Sequence, residues 1–157
     1  MKEAELLMRR AVALSGERMR AGFGGPFGAL VVRAGTVIAE GFNRVTSTND
    51  PTAHAEVVAI REACRATGGF SLAGCDLYTS CEPCPMCLGA IYWARLDRVY
   101  YANTRADAAA IGFDDDAIYR EFGKPVLGRS IPFVHLPLPE GRAVFKEWLD
   151  KPDKIPY

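Results

Sequence analysis

This sequence of 157 residues lacks a net charge, a long apolar run and any internal repeat. Lysine and arginine together number 19, and aspartate and glutamate also number 19. Because this balance provides no long-range attraction for phosphate, we expect no nucleic-acid partner. Residues 1–5 are too charged for a signal peptide, and no apolar run is long enough to span a membrane. We therefore expect a cytoplasmic protein that has no membrane partner.

No linker or low-complexity tract interrupts the chain. Its hydrophobic fraction of 49% and its charged fraction of 24% are typical of a globular protein, and its length is sufficient for one core. We therefore expect a single domain over residues 1–157.

The periodicity of apolar residues predicts an α/β protein. Helices are predicted at residues 7–21, after Asp50-Pro51, from Pro85, at Asp116–Phe122 and at Ala143–Leu149. Strands are predicted at Phe27–Val32, Val37–Phe42, Leu77–Thr79, Arg98–Ala102 and Ile131–Leu136. Helices and strands alternate after the first hairpin, which favours a three-layer α/β/α sandwich around a mixed five-stranded sheet.

Histidine is scarce, and the cysteines are clustered. The chain has two histidines, and three of its five cysteines lie within residues 81–87. In a reducing compartment such a cluster more often binds metal or catalyses a reaction than forms disulfides. His54-Ala55-Glu56 and Pro83-Cys84-Pro85-Met86-Cys87 together form the motif of zinc deaminases. His54, Cys84 and Cys87 would bind one zinc ion per subunit and leave its fourth position open, as in catalytic sites.

Three other interpretations of these residues remain. Cys81 could join the three ligands in a closed structural site, although Glu56 would then have no role. Cys84 and Cys87 could form a redox dithiol at a helix start. His54 could be a core histidine, as single histidines often are.

Glu56 is the expected proton shuttle. A bound zinc ion lowers the pKa of its water from about 15.7 to near 7. Glu56 would accept a proton from this water, pass one to the ring nitrogen and another to the departing amine, and so release ammonia.

These residues resemble the cytidine-deaminase-like superfamily, and they are more similar to its bacterial guanine deaminases than to its other branches. The resemblance covers nearly the whole chain and rests on residues 25–29, 49–56, 78–95 and 112–115 and on the terminal Tyr157. It implies the conversion of guanine, a small purine base, to xanthine and ammonia. It also implies a homodimer in which a C-terminal segment, about residues 137–157, is exchanged between the subunits.

The resemblance further implies a set of substrate-binding residues. Phe27 would stack on the base, Asn43 and the backbone of Ala55 would contact the purine ring, and Asp115 would bind its polar edge. Tyr157 would help to close the pocket, and Trp93 would lie near it. Taken singly, Asn43 is typical of a turn, Phe27 of a core, Asp115 of a helix cap and Tyr157 of a disordered terminus.

The sequence is also compatible with other functions. The same site could deaminate adenosine in tRNA, although neutral net charge and the acidic residues 114–116 disfavour a polyanionic substrate. It could also act on a triazine, cytosine or a nucleoside. In a different class, the motif could stabilise a non-catalytic zinc module.

Overall fold

The computed structural model describes residues 2–157. Contacts divide the chain into two compact units, residues up to Ile118 and residues from Tyr119 onward. The helices are α1 (Lys2–Arg20), α2 (Val45–Thr48), α3 (Ala55–Thr67), α4 (Pro85–Trp93), α5 (Arg105–Ala110), α6 (Asp115–Phe122) and α7 (Pro139–Asp150). The strands are β1 (Gly28–Arg33), β2 (Thr36–Phe42), β3 (Cys75–Cys81) and β4 (Arg98–Asn103).

The first unit is built on a mixed sheet with the strand order β2-β1-β3-β4. Strand β1 pairs antiparallel with β2 and β3, whereas β3 and β4 are parallel. The predicted α/β fold with a mixed sheet is confirmed.

Helices cover both faces of this sheet. One core contains Val31 and Leu77 together with Ala59 of α3 and Ile91 of α4. The other core packs α1 against Leu30, Val32 and Tyr78 of the opposite face. Successive strand residues point to opposite faces, so the apolar runs in β1 and β3 supply both cores.

A glycine brings α3 close to the sheet. A Cβ on Gly41 of β2 would overlap the backbone of Ala55 and Ala59, so only glycine allows this approach. The close packing fixes the first turn of α3, which follows His54.

The prediction of a five-stranded sheet is wrong in its strand count, because the described residues form four strands. Residues 132–138, which include most of the predicted fifth strand, have no regular secondary structure. Their side chains are exposed, with Val134 at 77% and Leu136 at 78%. An alternating apolar pattern forms a strand only where a neighbouring strand accepts its hydrogen bonds, and residues 2–157 supply no such neighbour here.

The helix predicted to start at Asp50-Pro51 begins instead at Ala55. The Asp50 carboxylate accepts hydrogen bonds from the backbone N and the Oγ1 of Thr52, at 2.8 and 2.7 Å. Because the Asp50 carboxylate is bonded to Thr52 in this turn, it does not cap a helix at this position, and α3 starts later in the chain.

The second unit contains part of α6, a 3₁₀ turn (Val126–Gly128) and α7. No residue from 119 to 157 is buried in the structure. Helix α7 instead exposes Phe145 at 80% and Leu149 at 67%. Among residues 2–157, no helix has both the length and the apolar character needed to cross a bilayer.

Candidate active site

Two helix starts carry the residues of the metal motif. His54 immediately precedes α3, and Cys84 immediately precedes α4, with Pro85 at its first position. Cys87 lies three residues after Cys84, so both thiols point the same way from the first turn. Cys84 also follows the carboxyl end of β3, and ligands usually bind at this edge of an α/β sheet.

The three side chains lie close together. Nδ1 of His54 is 3.5 Å from Sγ of Cys84 and 3.5 Å from Sγ of Cys87. All three donor atoms lie within 4.8 Å of one another. Tetrahedral zinc with bonds of about 2.1 Å to nitrogen and about 2.3 Å to sulfur separates these ligands by about 3.6 Å. The donor set and its spacing therefore fit zinc.

The electrostatics of the thiols also suit a cation. A hydrogen bond from Cys87, assisted by His54, lowers the pKa of Cys84 to about 4. The pKa of Cys87 is raised, because this thiol donates to Cys84 and is buried. Cys84 therefore loses its proton readily, whereas Cys87 does not. A divalent cation bound between them would favour the thiolate form of both residues.

Cys81 lies outside this group of three ligands. Its thiol contacts the carbonyl oxygen of Thr104 at 3.6 Å. Burial raises the pKa of Cys81 to about 11, so it remains a thiol at neutral pH. Three candidate ligands thus converge, and a tetrahedral zinc ion held by them would have one position left for another ligand.

Glu56 is a buried carboxyl group beside the three ligands. It is 5% exposed, and burial raises its pKa. Its Oε1 accepts a hydrogen bond of 3.0 Å from Thr79, and its Oε2 lies 3.4 Å from Sγ of Cys87. A carboxyl group with a raised pKa beside the metal position is suited to both accepting and returning a proton.

A cavity of about 230 Å³ opens over this group. It is lined by Gly25, Phe27, Asn43, Val45, Thr46, Pro51, His54, Glu56, Cys81, Glu82, Cys84, Phe113 and Asp115. The structure therefore places Phe27, Asn43 and Asp115 in the same cavity as the candidate zinc ligands. Burial is the main reason that the pKa of Asp115 is raised.

The Asn43 side chain is held in one orientation. Its Oδ1 accepts from the backbone N of Gly25 at 3.3 Å and from that of Val45 at 3.1 Å. Its NH₂ group is therefore the part left to donate to a ligand, which must present an acceptor atom.

The other predicted site residues have different positions. Ala55 is buried at the start of α3, between two residues that line the cavity. Trp93 is at the C-terminal end of α4, is 64% exposed and does not line the cavity formed by the described residues. Tyr157 belongs to the second unit and is 74% exposed.

Sequence reasoning did not assign Phe113, Cys81 or Glu82 to the pocket. The ring of Phe113 meets that of Phe27 edge-on, with centroids 4.8 Å apart. Glu82 accepts a hydrogen bond of 3.0 Å from the backbone N of Arg105. The motifs contained these residues, but their place in the cavity depends on contacts between distant parts of the chain.

A nitrogen and two sulfur ligands with an open metal position, beside a buried carboxyl group, define a zinc-dependent deaminase site. The family described as "Cytidine and deoxycytidylate deaminase zinc-binding region" matches residues 1–103, and the chain belongs to this family.

Similar proteins include deaminases of free bases and of tRNA. The guanine deaminase of Bacillus subtilis (strain 168) is 55% identical over 98% of each chain. A crystal structure of B. subtilis guanine deaminase superposes with a TM-score of 0.95, at 55% identity over 98% of each chain. The tRNA-specific adenosine deaminase of Aquifex aeolicus (strain VF5) is 32% identical over 80% of this chain and 81% of that protein. A mutant of NE0047 in complex with 8-azaguanine superposes with a TM-score of 0.69, at 37% identity over 71% of this chain and 65% of that one.

Proposed function

We propose that this protein converts guanine and water to xanthine and ammonia, using one zinc ion per subunit. The observation that carries the proposal is Glu56, a buried carboxyl group beside three zinc ligands at a cavity of base size. The identity of 55% with a guanine deaminase over 98% of each chain supports guanine as the substrate.

The residues then have the following chemical roles. His54, Cys84 and Cys87 would hold a zinc ion, which would act as a Lewis acid and make water nucleophilic at neutral pH. Glu56 accepts one proton as the water oxygen bonds to the carbon that carries the amino group of guanine. Glu56 passes this proton to the adjacent ring nitrogen, then takes the second proton from the hydroxyl group now bonded to that carbon and transfers it to the departing amine. The carbon–nitrogen bond breaks, and ammonia leaves.

The remaining polar groups bind the base. The NH₂ group of Asn43 donates to an acceptor atom of guanine, and Asp115 accepts from one of its N–H groups. Phe27 packs on the ring, and the backbone of Ala55 adds a polar contact. A related structure that holds 8-azaguanine supports a purine base in this position.

A small substrate fits better than tRNA. Glu82 and Asp115 at the cavity would repel a phosphate backbone. We therefore place tRNA outside the substrate range.

We also propose that each subunit is a single deaminase domain over residues 1–157. Two subunits form a homodimer and exchange a C-terminal segment of about residues 137–157. The support is the second unit, which buries no residue and exposes an apolar face on α7. A second copy would remove this face from water, at a gain of about 25 cal/mol per Å². In this dimer we assign Trp93 and Tyr157 to the surroundings of the pocket.

We place the protein in the cytoplasm. All five cysteines are free thiols in the structure, and two of them form part of the candidate zinc site. A reducing compartment keeps such thiols available for metal.

An ammonia-release screen tests the proposed function. Guanine, guanosine, adenine, cytosine, a triazine and tRNA are incubated with the zinc-loaded protein. We expect release from guanine to exceed release from every other substrate, and the expected product is xanthine. Faster turnover of another substrate would contradict guanine as the substrate. If no substrate released ammonia, the proposal that the protein is a deaminase would be wrong.

A further inference from the structure

A hydroxyl group interrupts an apolar row in the middle of the sheet. Alternate residues of β3 share one face, and this face carries Cys75, Leu77, Thr79 and Cys81. Cys75 and Leu77 belong to the core beneath α3 and α4. Thr79 is 0% exposed, so its hydroxyl needs a partner inside the protein.

The partner is the carboxyl group of Glu56. Thr79 donates to Oε1 at 3.0 Å, whereas Oε2 lies on the other side, 3.4 Å from Sγ of Cys87. The two carboxyl oxygens therefore have different surroundings. Oε1 is engaged by the sheet, and Oε2 is the oxygen nearest to the zinc ligands.

We propose that Thr79 is a positioning residue that holds Glu56 by Oε1 and so leaves Oε2 as the oxygen that carries the proton. The proposal rests on the proposed function, because it gives Glu56 the proton transfers of the deamination. In each transfer the proton moves between Oε2 and water, ring nitrogen or amine, while Oε1 keeps its bond to the hydroxyl.

The choice of threonine suits this role. A β-branched side chain on a strand has few χ1 rotamers, so the hydroxyl keeps its direction. Valine has nearly the same shape and would fill the core equally well without donating. Small errors in the position of a catalytic group reduce the rate even when the substrate binds normally.

Two substitutions separate positioning from packing. Thr79→Val retains the volume but removes the donor, and Thr79→Ser retains the donor but removes a methyl group. We expect Thr79→Val to lower kcat for guanine about 10- to 100-fold, with KM changed less than about 3-fold. Thr79→Ser should keep kcat within about 3-fold of the wild type. Leu77→Val is the matched control on the same face, and it should lower stability without lowering kcat.

Two further measurements exclude a structural role. Zinc content should remain at one per subunit in both Thr79 variants. Crystal structures should show that Glu56 leaves its wild-type conformer in Thr79→Val and keeps it in Thr79→Ser. An unchanged kcat or an unchanged Glu56 conformer in Thr79→Val would overturn the proposal, as would equal damage by both substitutions. If the wild type does not turn over guanine, the proposed function fails, and the Glu56 conformer still tests the role of Thr79.

Discussion

At the residue scale, the metal motif is the part of the site that local sequence predicts. The pairs His54 with Glu56 and Cys84 with Cys87 are separated by two and three positions, and each pair shares one helix start. Thr79 has no such signal, because a threonine is common in strands and its partner Glu56 is 23 positions away. Whether Cys81 is a fourth zinc ligand also depends on a contact between distant positions, because only the fold shows that its thiol contacts Thr104.

The orientation of Asn43 leads to a prediction about substrate binding. Asn43→Asp keeps an acceptor for the backbone N of Gly25 and of Val45 but removes the NH₂ donor. We expect KM for guanine to rise about 10-fold or more, because a buried hydrogen bond to the substrate is lost. Steady-state kinetics measure KM, and thermal unfolding measures the stability of the variant.

Asn43→Ala is the control for this experiment. It removes the acceptor as well and should also lower the melting temperature, which Asn43→Asp should affect less. A normal KM in Asn43→Asp would show that the amide does not bind the base.

Tyr78 predicts a loss of stability in alkali. Burial, followed by the charge and a hydrogen bond of Tyr100, whose ring stacks 4.4 Å away, raises the pKa of Tyr78 to about 12 from 10.0. The folded state holds the proton of Tyr78 more tightly than the unfolded state does. The contribution of this group to the free energy of unfolding is therefore complete below pH 10 and is lost as the pH rises toward 12. Between pH 9 and pH 11 we expect the free energy of unfolding to fall by about 1 kcal/mol from this group.

Replacement by phenylalanine isolates this contribution. Urea unfolding of Tyr78→Phe should show a smaller loss between the two pH values than the wild type. Tyr101, which is 51% exposed, provides the control as Tyr101→Phe. Equal pH dependence in the wild type and in Tyr78→Phe would contradict the assignment.

At the element scale, periodicity predicted most helices and strands, and hydrogen bonding decided two differences. Strands β1 to β4 and helices α1, α3, α4, α6 and α7 appear near their predicted positions. The start of α3 differs because Thr52 captures Asp50, and no strand forms at Ile131–Leu136 within residues 2–157. These two differences depend on which group accepts a hydrogen bond, which apolar spacing does not specify. The short helices α2 and α5 were not predicted.

The contact between β2 and α3 gives a prediction for Gly41. Gly41→Ala would force its Cβ into the backbone of Ala55 and Ala59, so α3 must shift. We expect a loss of about 1–3 kcal/mol in the free energy of unfolding, measured in urea. Guanine turnover should fall as well, because His54 and Glu56 lie at the displaced end of α3.

Gly69→Ala is the matched substitution, since a Cβ at Gly69 meets no atom within 4 Å. It should leave stability within about 0.5 kcal/mol of the wild type. A Gly41→Ala protein as stable and active as Gly69→Ala would disprove the close-packing account.

At the scale of the whole molecule, the exposed face of α7 predicts self-association. We expect light scattering to give twice the 17.1 kDa of one chain. Phe145, at 80% exposure, would be buried by a second copy, so Phe145→Asp should shift the equilibrium toward the monomer and weaken guanine turnover.

A polar substitution on the same helix controls for the change in charge. Glu147→Gln should leave the dimer intact. A monomeric wild type, or a Phe145→Asp protein that dimerises normally, would contradict the proposed role of the C-terminal segment.

The central claim is that Glu56 carries protons in a zinc-dependent deamination of guanine. Glu56→Gln retains the size of the side chain and an acceptor for Thr79 but cannot shuttle protons. The decisive measurement is ammonia release from guanine by the wild type and by Glu56→Gln, with zinc determined in the same samples. We predict one zinc per subunit in both proteins and a kcat that is lower by about 10²- to 10⁴-fold in Glu56→Gln. Undiminished turnover by zinc-loaded Glu56→Gln would contradict the account.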